Sequence, residues 1–112
     1  MAVAKLIVIY PMPKDMAAFE RAYSAEHIPM AAKIFKAAGA TKAVLTKMVG
    51  APSGTPAFHR TAEIHFPSAE ALKACAASQP GRDALAHAHK ISNGGPPIVL
   101  IAEEEVVKLD GA

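Results

Sequence analysis

Phe58-His59-Arg60-Thr61-Ala62-Glu63-Ile64-His65-Phe66-Pro67-Ser68-Ala69-Glu70-Ala71 runs from a strand into a helix. Successive strand side chains point to opposite faces, so Phe58, Ala62, Ile64 and Phe66 are expected on one face with Arg60. His59, Thr61, Glu63 and His65 are expected on the other. Ser68 then has the hydroxyl of an N-cap, and Glu70 in the first turn suits the helix dipole. Upstream, Gly50-Ala51-Pro52-Ser53-Gly54-Thr55-Pro56 is turn chemistry, too long for a tight hairpin but suited to a looped one. It joins this strand to an earlier one from about Thr41 to Val49.

Further out, Val3 to Tyr10 is apolar on both faces apart from Lys5 and reads as a buried strand, stopped by Pro11-Met12-Pro13. Asp15 is the expected N-cap of a helix in which Met16, Phe19, Tyr23 and His27 recur at helical spacing. Pro29 removes a backbone donor and crowds the preceding turn, which predicts a kink or break near Ile28. Helix then resumes from Met30 to Ala38 and ends at Gly39. Downstream of Ser68, Pro80-Gly81 interrupts the second helical region before a further piece from Arg82 to Lys90. Ser92-Asn93-Gly94-Gly95-Pro96 is a loop, and Pro97 to about Glu105 is the last strand. The order β-α-β-β-α-β predicts an α+β, ferredoxin-like fold, a four-stranded antiparallel sheet with helices on one face. No linker, repeat or low-complexity tract divides the chain, so one domain is expected over residues 1–112.

Composition limits what such a fold can do. The chain has 112 residues, 52% of them hydrophobic, and alanine alone accounts for 25. Size scaling predicts a monomer surface of roughly 5,900 Å². Strands apolar on both faces leave the sheet's second face to be covered, and a second copy of the chain is the simplest cover. No apolar stretch approaches the ~20 residues of a membrane helix, and Lys5 with five apolar residues is too little for a secretory signal. One cysteine allows no internal disulfide and no zinc ribbon. The cytoplasm is therefore the expected compartment. A net charge of +2, no tryptophan and 5% aromatics leave little for a base-stacking surface, so no nucleic-acid partner is expected.

His27 is the leading candidate for chemistry. Steps of four turn a helix by about 40°, so Phe19, Tyr23 and His27 form one drifting stripe. An imidazole exchanges protons near neutral pH, and a phenol can hold a substrate oxygen. The competing reading makes His27 structural, bonding carbonyls freed by Pro29. The polar face of the 58–66 strand offers His59, Glu63 and His65 to a cavity. His59 and His65 are about 20 Å apart at strand rise, too far to share one metal ion, so no metal is expected. His87 and His89 point away from each other on a helix and read as solvated. Cys75 reads as a small buried thiol.

The ordered set of Tyr10-Pro11, Phe19-x3-Tyr23-x3-His27-x-Pro29, Ala62 to Ala71 and Gly94-Gly95 resembles the EthD family of the dimeric α/β-barrel superfamily over nearly the whole chain. The resemblance implies a homodimer built sheet to sheet, with a small cavity between sheet and helix that the histidine matching His27 faces. His27 and Tyr23 are the expected catalytic residues, and Tyr10, His59, Glu63 and His65 the expected substrate-binding ones. Family members are tied to ethyl tert-butyl ether degradation beside a monooxygenase system, and superfamily relatives are isomerases, cyclases and cofactor-free oxygenases. A compact apolar organic ligand is the implied substrate, and a carrier serving a partner oxygenase is the alternative. A third reading is a dimer with an assembly role alone. No G-x-G-x-x-G occurs, so no nicotinamide cofactor is expected, and no other cofactor is implied.

Overall fold

A four-stranded antiparallel sheet in the order β2-β3-β1-β4 carries the helices on one face. The structure, a computed structural model, describes residues 3–110, so the expected domain bounds at 1 and 112 lie outside the described residues. The strands are β1 (Val3–Pro11), β2 (Lys42–Lys47), β3 (Phe58–Phe66) and β4 (Ile98–Glu104). The helices are α1 (Met16–Ala22), α2 (Ile28–Ala37), α3 (Ala69–Ala77) and α4 (Gln79–Ile91). This is the ferredoxin-like βαββαβ fold that the sequence predicts. β2 is shorter than the 41–49 expected, but its pairing runs on: Thr41 N–H bonds the His65 carbonyl and Met48 N–H bonds the His59 carbonyl, each at 2.8 Å.

β1 alternates as a two-faced strand should. Ala4, Leu6, Val8 and Tyr10 are buried against the helices. Across from them on β3 stand Phe66, Ile64, Ala62 and Arg60, in register. Lys5, Ile7 and Ile9 lie on the opposite face, beside Ala102, Leu100 and Ile98 of β4.

Two expectations need correcting. The pairing of β1 with β3 shifts register at Tyr10/Pro11, with Tyr10 opposite Arg60 and Pro11 opposite Phe58. This bulge leaves His59 without a partner on β1 and turns its side chain to the helix side, onto Glu20 and Phe19, instead of alongside Thr61, Glu63 and His65. Pro29 does not break the helix either. Tyr23–His27 forms a π-helical turn between α1 and α2, in which Ile28 N–H reaches back to the Tyr23 carbonyl. The local widening accommodates a residue that cannot donate, so the chain stays helical through Ile28.

Small residues set the remaining corners. Ser78 closes α3 and caps α4 by accepting from Gly81 N–H at 3.1 Å, with Pro80 in the first turn where its missing donor costs nothing. A Cβ on Gly81 would fall 1.9 Å from the Cys75 carbonyl oxygen, so this corner needs glycine. Asn93 in the α4–β4 loop bonds both the N–H and the carbonyl of Asp15, at 3.1 and 2.9 Å. That clamp fixes the start of α1 against the end of α4. No helix among the described residues is long and apolar enough to cross a membrane.

Candidate functional site

The π-helical turn decides what the first helix presents. Residues four apart share a helix face, and the turn keeps the chain helical between Tyr23 and His27. Phe19 and Tyr23, one α-helical turn apart, lie near-parallel at 5.4 Å and 16°, and Tyr23 and His27, across the π-helical turn, at 6.0 Å and 17°. Tyr10 meets this column edge-on, at 5.2 Å from Phe19 and 5.5 Å from Tyr23, a favoured geometry for the ring quadrupoles. Its hydroxyl is 3.3 Å from Nε2 of His27. The Arg60 guanidinium lies 5.1 Å from the Tyr23 ring centre, a cation–π contact.

These rings close one end of a cavity of about 420 Å³ between the sheet and α2. Val8, Ala62, Ile64 and Leu45 form its sheet wall, Ala31 and Phe35 its α2 wall, and Ala84 and Ala88 contribute from α4. Tyr10, Tyr23 and His27 also line it, and Lys36, Thr41 and Lys42 are exposed at its edge. The wall is otherwise apolar. Tyr23 lines this cavity, and its hydroxyl is buried with no hydrogen-bond partner.

Burial governs the titration of the three polar groups. It pulls the His27 imidazole down to about 4, with the nearby His87 as the second cause. It pushes both the Tyr10 and Tyr23 phenols up, although Arg60 opposes the shift at Tyr23. At neutral pH the site therefore holds a neutral imidazole between two neutral phenols.

The other residues assigned to substrate binding lie elsewhere. His59 bonds Glu20 at 2.9 Å, and Arg60 bonds the same carboxylate through two nitrogens at 2.7 and 3.1 Å. The Arg60 bonds, then His59, hold the Glu20 carboxyl down to about 2. His59 thus tethers β3 to α1. Glu63 pairs with Lys5 at 2.7 Å on the opposite sheet face, where Lys5 also lies 3.6 Å from Glu104. His65 is buried on that face, in register with Lys5 and Lys42. None of the three lines the cavity.

Comparison with known proteins bears on this arrangement. No protein-family model matches the chain. The crystal structure of an ethyl tert-butyl ether degradation (EthD) family protein from Bacillus halodurans superposes with a TM-score of 0.83 at 30% identity, over 94% of this chain and 100% of that one. The chain belongs to the EthD family. An uncharacterized 11.0 kDa protein of the thcB–thcC intergenic region of Rhodococcus erythropolis is 26% identical over 103 residues, 92% of this chain and 97% of that protein. A dimeric ferredoxin-like protein of unknown function from Jannaschia shares the fold at 16% identity and a TM-score of 0.68, over 93% of this chain and 99% of that one.

In this EthD-family protein one residue read as solvated proves to be part of the site. Nδ1 of His87 is 2.9 Å from Nδ1 of His27, and His87 Nε2 is 3.7 Å from Glu26. His87 lies one turn from Ala84 on α4, but only tertiary packing brings that helix face to His27. His89 is exposed, as expected, and bonds the Leu85 carbonyl.

The depressed imidazole makes stability pH-dependent with a definite sign. In the unfolded chain His27 titrates near its ordinary value of about 6.5, so on acidification the unfolded chain gains a proton that the folded one refuses. The contribution is complete above that value and is lost as pH falls to about 4, amounting to up to about 3 kcal/mol. An NMR titration of the His27 ring protons should give a midpoint near 4. A midpoint near 6.5 would show that His27 is solvated and the site open.

Proposed function

We propose that this EthD-family protein is a small acid–base enzyme acting on a compact, mostly apolar organic molecule that carries an oxygen. Tyr23 and Tyr10 hold that oxygen, and Nε2 of His27 takes up or returns the proton. Isomerisation and cyclisation are the reaction types that such a site serves, since they relocate protons within a substrate. The observation that carries the reading is Tyr23, a residue of the apolar cavity wall whose buried hydroxyl has no hydrogen-bond partner. Leaving such a group unsatisfied costs about 1–3 kcal/mol, which a ligand oxygen would recover. A neutral His27 is suited to accept a proton at Nε2, and kinship with a protein named for ether degradation supports a catabolic setting, with a partner oxygenase as the neighbouring activity.

The same reading makes the protein a homodimer joined through the face of the sheet away from the helices. Ile98 and Leu100 are 42% and 47% exposed there, next to Ile9 and Ile7. The chain exposes 6931 Å², more than the roughly 5,900 Å² expected of a monomer this size. The apolar Val106, Val107 and Leu109 that follow β4 are also exposed and would find cover on a second copy. The lone buried Cys75 suits a cytoplasmic protein, with no disulfide framework to protect.

Cyclohexanone and methylenecyclohexane form a probe pair that differs in the oxygen. Tyr23→Phe should weaken cyclohexanone binding about 5–10-fold and leave the hydrocarbon unchanged, as loss of one hydrogen bond requires. The wild-type protein should accelerate α-deuteration of the ketone in D₂O, and His27→Ala should cost on the order of 10²-fold or more. Equal rates with and without wild-type protein, while the ketone still binds, would make the protein a carrier. Sedimentation at micromolar concentration should give a dimer; a stable monomer would contradict the covered sheet.

A further inference from the structure

His27 presents a difficulty as a lone base. Its imidazole is buried, and a cation there is disfavoured by the same burial that lowers its affinity for protons. The neighbouring His87 disfavours a second proton on His27 further. The geometry on the far side of the ring removes the need for it.

The His27 and His87 rings are within 6° of parallel, with centres 5.2 Å apart. Their Nδ1 atoms are 2.9 Å apart, so a centre separation of that size means rings lying nearly in one plane, edge to edge. Ring lone pairs and N–H bonds lie in that plane, and the contact is therefore an aligned N–H···N hydrogen bond. Beyond it, Nε2 of His87 is 3.7 Å from the Glu26 carboxylate, whose side chain is 66% exposed. That carboxylate favours a proton on His87 Nε2, which leaves Nδ1 of His87 as the acceptor. His27 then carries its proton on Nδ1, and its Nε2 lone pair faces the cavity, where it accepts from the Tyr10 hydroxyl at 3.3 Å.

We propose that His87 and Glu26 form a proton exit from the cavity. The inference rests on the acid–base reading of His27 and extends it to two residues outside the cavity wall. As a substrate proton bonds to Nε2 of His27, the N–H bond at Nδ1 breaks and its proton passes to Nδ1 of His87. The N–H bond at Nε2 of His87 breaks in turn, and its proton goes to the Glu26 carboxylate and on to water. His27 and His87 each gain one proton and lose one, so no cation is created inside. Running the steps backwards returns a proton to the substrate and restores both tautomers. His27 touches the reacting atoms; His87 and Glu26 act through it. The other charged groups nearby are Arg60, which lies over the Tyr23 ring, and its partner Glu20; Lys36 and Lys42 line the cavity edge.

The test uses ¹⁵N NMR of the full chain, without ligand. At pH 7.5 the long-range correlations should show His27 as the Nδ1–H tautomer and His87 as the Nε2–H tautomer. His87→Gln supplies an amide oxygen that accepts from His27 Nδ1–H but cannot pass a proton onward. It should preserve the His27 tautomer while slowing exchange of that proton with water about tenfold or more. Glu26→Gln, on an exposed side chain, should slow exchange as well. A proton on His27 Nε2 in the wild type, or exchange unchanged in both variants, would overturn the proposal. Because these readouts need no substrate, the two readings fail separately. Turnover lost in His27→Ala with exchange indifferent to His87 sinks the exit alone; the expected exchange without any turnover sinks the enzyme alone.

Discussion

Pro29 has no amide proton to give to the carbonyl one turn back, and its ring crowds that carbonyl. A helix facing that constraint can end, kink or widen. Here it widens: the Ile28 N–H bonds the Tyr23 carbonyl, and five residues from Tyr23 to His27 adopt the π-helical turn. Much of the site depends on this choice. A break would detach His27 from Tyr23. The widened turn instead holds Phe19, Tyr23 and His27 in one column, with Tyr10 against its edge and His87 beyond its end. The cost of a missing backbone donor becomes the means of placing an imidazole.

Polar groups elsewhere are separated from the cavity by equally simple means. The register shift at Tyr10/Pro11 delivers His59 and Arg60 together to the Glu20 carboxylate, so one bulge ties the sheet to α1. Lys5 and Glu63, neighbours on the other sheet face, satisfy each other there. What remains around the cavity is nearly all hydrocarbon, which makes the few convergent groups of Tyr10, Tyr23 and His27 conspicuous. In such surroundings an unpartnered hydroxyl is costly, and a polar ligand atom placed against it is correspondingly favoured.

Most of the architecture was legible in the sequence because it rests on local periodicity. Alternation in Val3 to Tyr10 and capping at Asp15 and Ser68 are local facts, and the structure repeats them: Asp15 accepts from Ala18 N–H and Ser68 from Ala71 N–H. The spacing that singled out Tyr23 and His27 is local too. Strict alternation misplaced His59, because a bulge belongs to a pair of strands and not to either sequence. His87 looked solvated because helical periodicity says which residues share a face, not which element that face will meet. Pro29 was correctly identified as a disturbance, but whether the helix breaks or widens depends on the packing of Tyr23 against Tyr10 and Phe19, which only the assembled core supplies.

On the proposed reading the cavity receives a ligand oxygen between Tyr23 and His27. A crystal structure of the protein grown with cyclohexanone examines that claim directly. The account predicts the ketone oxygen about 3 Å from the Tyr23 hydroxyl, with an α-carbon turned toward Nε2 of His27. A cavity closed by its own side chains, or a ketone seated elsewhere with the Tyr23 hydroxyl still unpartnered, would contradict it.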